Sequence, residues 1–123
     1  MSAKILVVDD IEANVRLLEA RLEAEYYEVI TAADGPTALA MAAAEKPDIV
    51  LLDVMMPEMD GFEVCRRLKA NPATAHIPVV AVTAFAMKGD EERIREGGCE
   101  AYLSKPISVG KFIETVRHFL GAA

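Results

Sequence analysis

Five polar residues carry most of the chemistry open to this sequence: Asp9, Asp10, Asp53, Thr83 and Lys105. Each closes a short apolar run. "KILVVDD" ends on Asp9 and Asp10, "DIVLLD" on Asp53, "IPVVAVTA" carries Thr83 near its end, and "AYLSKP" carries Lys105. Ending a buried run on a charge is costly unless that charge has a partner or a task. Three carboxylates brought close together repel, so that protons are taken up or a cation binds between them. Oxygen donors, with no His or Cys at any run end, suit Mg²⁺ better than a transition metal. Mg²⁺ held by one or two carboxylates and water commonly takes phosphate as a further ligand. Lys105 then offers a second cation and Thr83 a hydroxyl to phosphoryl oxygens. The chain has no G-x-x-x-x-G-K-[ST] loop, so a nucleotide is not held in the P-loop manner. A carboxylate beside Mg²⁺ and lysine can itself attack a phosphoryl group and form an acyl phosphate. Asp53, at the end of the third run, is the best candidate nucleophile. Asp9 and Asp10 would also suit the N-terminus of a following helix, a reading that Asp53 and Lys105 do not share.

These residues can act together only if the chain brings the ends of the runs to one edge. Apolar runs of strand character alternate with stretches of helical period. "KILVVDD", "YEVITA", "DIVLLD", "IPVVAVTA" and "AYLSKP" read as strands. Val15, Leu18, Leu22 and Tyr26 recur at three- and four-residue steps and predict an amphipathic helix over 12–25. "GPTALAMAAAEK" is a second helix with Pro36 in its first turn, and "GFEVCRRLKAN" a third, closed by Asn71–Pro72. A mostly polar helix is expected over 88–97, ended by Gly97–Gly98. The last helix spans 109–120, with Phe112, Val116 and Phe119 or Leu120 facing inward. Strict alternation of strand and helix predicts a parallel sheet covered on both faces. Five strands and five helices in 123 residues fit the α/β, flavodoxin-like doubly wound architecture with strand order 2-1-3-4-5. The alternation comes from the chain, the strand order from the known architecture. Ligands in such sheets bind beyond the carboxyl ends of the strands, where strands 1 and 3 meet. That is where the three carboxylates fall.

Length and composition set the frame. A chain of 123 residues, 53% hydrophobic, predicts one domain over 1–123 with a real core. A net charge of −7 argues against direct binding to nucleic acid or to an anionic membrane. "MSAKILVVDD" is not a signal peptide, and no apolar run reaches the roughly 18 residues of a membrane span, so a cytoplasmic location is expected. Cys65 and Cys99 read as reduced, half-buried thiols. His76 and His118 read as structural or exposed, with no phosphotransfer histidine evident.

"VVDD", "LLDVMMPEMDGFE", "VVAVTA" and "SKP", in this order and spacing, resemble the receiver domain of two-component response regulators across essentially the whole chain. The resemblance implies that Asp53 accepts a phosphoryl group from a sensor histidine kinase or a histidine phosphotransfer protein. It implies Mg²⁺ bound by Asp10, Asp53 and the backbone carbonyl of Met55, with Asp9 acting through water. Thr83 and Lys105 would bind the phosphoryl oxygens. The peptide before Pro106 would be cis, and Pro57 and Gly61 match the turn after the third strand. Drawing Thr83 inward would let Tyr102 rotate. The face built from the 88–97 helix, the fifth strand and the last helix would then change shape, with Phe85, Lys88, Arg95 and Tyr102 meeting downstream regulatory proteins or a second copy of the chain. Such a switch assists its own phosphorylation and dephosphorylation but turns over no external substrate.

Within the family, residues 1–69 resemble the first receiver of cell-cycle diguanylate cyclase regulators (the PleD type). Residues 76–108 resemble single-domain cell-division regulators (the DivK type). A role in cell-cycle control is expected on that ground, either as a stand-alone relay or as part of a longer regulator. Three other classes fit less well. An aspartate-nucleophile phosphatase carries an acid two residues after its nucleophile, where this chain has Met55. A receiver that no longer takes phosphate would not need the five polar residues intact. In a flavodoxin, "DDIEAN" would repel the phosphate that the first loop must hold.

Overall fold

The computed structural model describes residues 3–53, 61–83, 98–104 and 109–120. Five strands, β1 (Lys4–Val8), β2 (Glu28–Ala32), β3 (Ile49–Asp53), β4 (Val79–Thr83) and β5 (Ala101–Ser104), form one sheet in the order β2-β1-β3-β4-β5. All four pairings are parallel. Four helices are described: α1 (Glu12–Ala24), α2 (Gly35–Glu45), α3 (Gly61–Ala70) and α4 (Val109–Leu120). The helix expected over 88–97 lies outside the described residues, as do Pro57 and Pro106. Among the described residues no helix is long and apolar enough to cross a membrane.

The sheet sorts its side chains by parity, as a pleated strand must. Leu6, Val8, Val50, Leu52, Val79 and Ala81 share a core with Ala38 and Ala42 of α2 and with Val64, Cys65 and Leu68 of α3. Ile5, Val7, Ile49, Leu51, Val80 and Leu103 pack on the other face against Leu18 and Leu22 of α1 and Phe112, Ile113 and Val116 of α4. Both faces are therefore covered, and β3 is buried along its whole length. That burial is why the strands read as unbroken apolar runs rather than alternating ones.

Local signals set the element ends. The Asp34 carboxylate accepts from the Thr37 N–H at 2.8 Å and caps α2, ahead of Pro36 in its first turn. Lys46 closes α2 in the left-handed conformation. At the end of α1 the helical step expected to bury Tyr26 fails. Tyr26 takes φ +67° and is 85% exposed, and Tyr27 packs against the core instead. The left-handed residue breaks the 3.6-residue period, so the next side chain turns inward. The cysteines also differ from expectation: Cys65 and Cys99 are both buried rather than half-buried, Cys65 completely, since it lies between Val64 and Leu68 on the inner face of α3. His76 and His118 are exposed.

Candidate functional site

Register brings the acids together. Val8 of β1 pairs with Leu52 of β3, so Asp9, the next residue, stands level with Asp53 on the neighbouring strand. The Asp9 N–H still donates to Ala32 O at 3.1 Å, which holds the end of β1 against β2. Asp9, Asp10 and Asp53 each offer a carboxylate oxygen, and these oxygens lie within 4.8 Å of one another. Asp9 and Asp53 are buried, at 4% and 3% exposure, while Asp10 faces solvent.

Asp9 is fixed by its own turn. Its Oδ1 accepts the Ile11 N–H at 2.9 Å, an Asx-type bond spanning two residues. This orienting contact was not anticipated from the sequence, although an Asp two residues ahead of a helix cap is its usual signal. The helix cap itself falls on Ile11, whose side chain makes no capping bond. The purely capping role considered for Asp9 and Asp10 thus leaves the convergence with Asp53 unexplained.

The other expected site residues are placed less completely. The backbones of Thr83 and Tyr102 lie on β4 and β5, where Thr83 pairs with Ser104 and Ala81 with Tyr102. Thr83 thus ends the strand beside β3, at the same edge as Asp53. Roles for their side chains, and for Met55, Phe85, Lys88, Arg95 and Lys105, lie outside the described residues. Three carboxylates, one of them exposed, form an oxygen-only donor set suited to a hard divalent cation.

An acidic edge on a 2-1-3-4-5 parallel sheet defines a class, and comparison with known proteins agrees. Residues 5–117 match the response regulator receiver domain, and the chain belongs to that family of two-component signalling domains. It is 69% identical over 107 residues to the response regulator PleD of Caulobacter vibrioides, covering 87% of this chain but 24% of that protein. It is 52% identical over 123 residues to the polar-differentiation response regulator DivK of Brucella anthropi, covering all of both chains. The chemotaxis protein CheY4 of Vibrio cholerae superposes with a TM-score of 0.92 at 29% identity, over 97% of this chain and 99% of that one. The receiver domain of the sensor histidine kinase PA1611 from Pseudomonas aeruginosa PAO1, solved with a magnesium ion in its active-site cleft, gives 0.91 at 30%, over 99% and 100%.

Proposed function

We propose that the chain is a phosphoacceptor switch of a two-component phosphorelay, in which Asp53 takes a phosphoryl group from a phosphohistidine of a sensor histidine kinase or a histidine phosphotransfer protein. One observation carries this reading: Asp9, Asp10 and Asp53, from two adjacent strand ends, converge within 4.8 Å in a chain that matches the receiver family. Asp10, Asp53 and the Met55 carbonyl would hold Mg²⁺, with Asp9 acting through water. When bound, the ion supplies positive charge that offsets the phosphoryl oxygens. A carboxylate oxygen of Asp53 attacks phosphorus, the P–N bond breaks, and its electron pair returns to the imidazole. The Thr83 hydroxyl and the Lys105 ammonium bind the phosphoryl oxygens. Water later attacks the same phosphorus and releases inorganic phosphate, so the carboxylate is regenerated and no external substrate is consumed.

New charge at Asp53 draws Thr83 inward and lets Tyr102 turn, biasing a two-state equilibrium by a few kcal/mol. Phe85, Lys88, Arg95 and Tyr102 then meet a downstream regulator or a second copy of the chain. The relatives named for polar differentiation support a role in cell-cycle control, and the net charge of −7 favours protein partners over nucleic acid or an anionic membrane. The test is the intact mass of the protein after incubation with Mg²⁺ and acetyl phosphate, beside Asp53→Asn. Gain of one phosphoryl group by the parent alone is the expected result. No gain, with Mg²⁺ binding demonstrated, would overturn the phosphoacceptor reading.

A further inference from the structure

Away from the acidic edge, two buried nucleophiles stand side by side. Cys65 on α3 and Cys99, two residues before β5, are the only cysteines in the chain. The Cys99 thiol donates to Cys65 Sγ at 2.6 Å, although 34 residues separate them in sequence. Both are thiols, at 0% and 8% exposure.

The surrounding bonds fix the two backbones that carry them. Lys69, one helical turn beyond Cys65, donates to the carbonyls of Ala75 at 3.2 Å and Ile77 at 2.7 Å and to the Glu100 carboxylate at 2.5 Å. The other Glu100 oxygen accepts the Val79 N–H at 2.6 Å. Because Glu100 follows Cys99 directly, these bonds seat the chain before β5 against the helix bearing Cys65. Gly98 completes the fit: its φ is +93°, and a Cβ there would stand 2.9 Å from Lys69 Cγ. Two reacting groups held this way meet the positional requirement for an intramolecular reaction. The hydrogen bond from Cys99, aided by the Lys69 cation, holds the Cys65 thiol below its ordinary range. The same bond, with burial, pushes Cys99 up.

We infer that Cys65 and Cys99 form a peroxide-responsive dithiol, in which hydrogen peroxide converts the pair into a disulfide tying α3 to the start of β5. The Cys65 thiolate attacks one peroxide oxygen, the O–O bond breaks, and the departing hydroxide takes a proton to become water. This leaves a sulfenic acid on Cys65. Cys99 sulfur then attacks that sulfur, the S–O bond breaks, and the second hydroxide leaves as water with the Cys99 proton. Two thiols and one hydrogen peroxide give one disulfide and two waters. Burial keeps out a bulky disulfide such as oxidised glutathione, so the oxidant the pair calls for is a small hydroperoxide. A dithiol reductant returns the pair to thiols.

The experiment treats the full chain with hydrogen peroxide, removes the excess with catalase, denatures it with a maleimide present and reads the intact mass. The expected parent product has lost two hydrogens and carries no label, and prior dithiothreitol treatment restores two labels. Its melting temperature should rise by on the order of 10 °C, because the cross-link restricts the unfolded chain. Cys65→Ser and Cys99→Ser should each gain oxygen or keep one label instead. Two labels on the peroxide-treated parent, or oxygen added to the sulfurs without linkage, would overturn the inference. The parent decides the outcome alone, so a serine variant that fails to fold does not affect the result.

Discussion

Replacing Asp10 by Asn should stabilise the metal-free protein while weakening its response to Mg²⁺. The carboxylate oxygens of Asp9, Asp10 and Asp53 lie within 4.8 Å of one another. At that separation two unit charges repel by about 0.9 kcal/mol in water and about 3.5 kcal/mol at an effective dielectric constant of about 20. Asp10 is exposed, whereas its neighbours are buried, so its repulsions fall toward the aqueous value. Two neighbours at about 1 kcal/mol each make about 2 kcal/mol, or roughly 7 °C in melting temperature for a chain of this size. An ion bound only by the native state works in the opposite direction, adding about 2.7 kcal/mol at a hundredfold excess over Kd. Loss of a carboxylate should cut that gain. The assay is thermal unfolding of parent and Asp10→Asn in EDTA and in saturating Mg²⁺. The variant should melt higher in EDTA, by a margin that shrinks with added salt, and should gain less from Mg²⁺. A variant no more stable than the parent in EDTA, or one gaining equally from Mg²⁺, would refute the charge argument.

Two further predictions rest on single side chains. Leu68 O would ordinarily accept from the N–H four residues on, but residue 72 is proline, and the buried Thr74 hydroxyl supplies the bond at 2.7 Å instead. Thr74→Val should therefore cost about 1–3 kcal/mol by urea denaturation, and Thr74→Ser much less; a valine variant as stable as the parent would remove the hydroxyl's assigned role. The Asp34 carboxyl is held below its ordinary range by the Thr37 backbone N–H and then by the Thr37 side chain. A lowered folded pKa gives stability that is complete above the unfolded value and lost as pH falls through the folded one. As pH falls through and below the ordinary carboxylate range the parent should thus lose more stability than Asp34→Asn, and parallel acid unfolding curves would count against it.

The strands and the acidic edge were legible because burial on both faces leaves continuous apolar runs, and a charge ending such a run stands out. Asp9, Asp10 and Asp53 needed only the strand order to become neighbours. Tyr26 was misread because a helical period says nothing about the residue at which the chain turns left-handed. The cysteine contact was not legible at all: Cys65 and Cys99 look unrelated in sequence and meet only through the packing of α3 against the approach to β5. Thr74 lay equally out of sight, since its bond repairs a gap created by a proline two residues earlier.

The position of the acids follows from how the chain leaves the sheet. After β1 it runs into α1, on the face with Ile5 and Val7; beyond β3 it reaches α3, on the face with Leu6 and Val8. Adjacent strands whose connections depart to opposite faces leave a crevice between their ends that neither helix covers. Polar groups there can be largely buried and still reach solvent on one side, as Asp9 and Asp53 do beside exposed Asp10. An acid within either apolar core would have no such outlet, and the charged form would be disfavoured there. The edge between β1 and β3 is therefore where this sheet can gather several carboxylates, and their mutual repulsion makes the same edge the natural place for a cation.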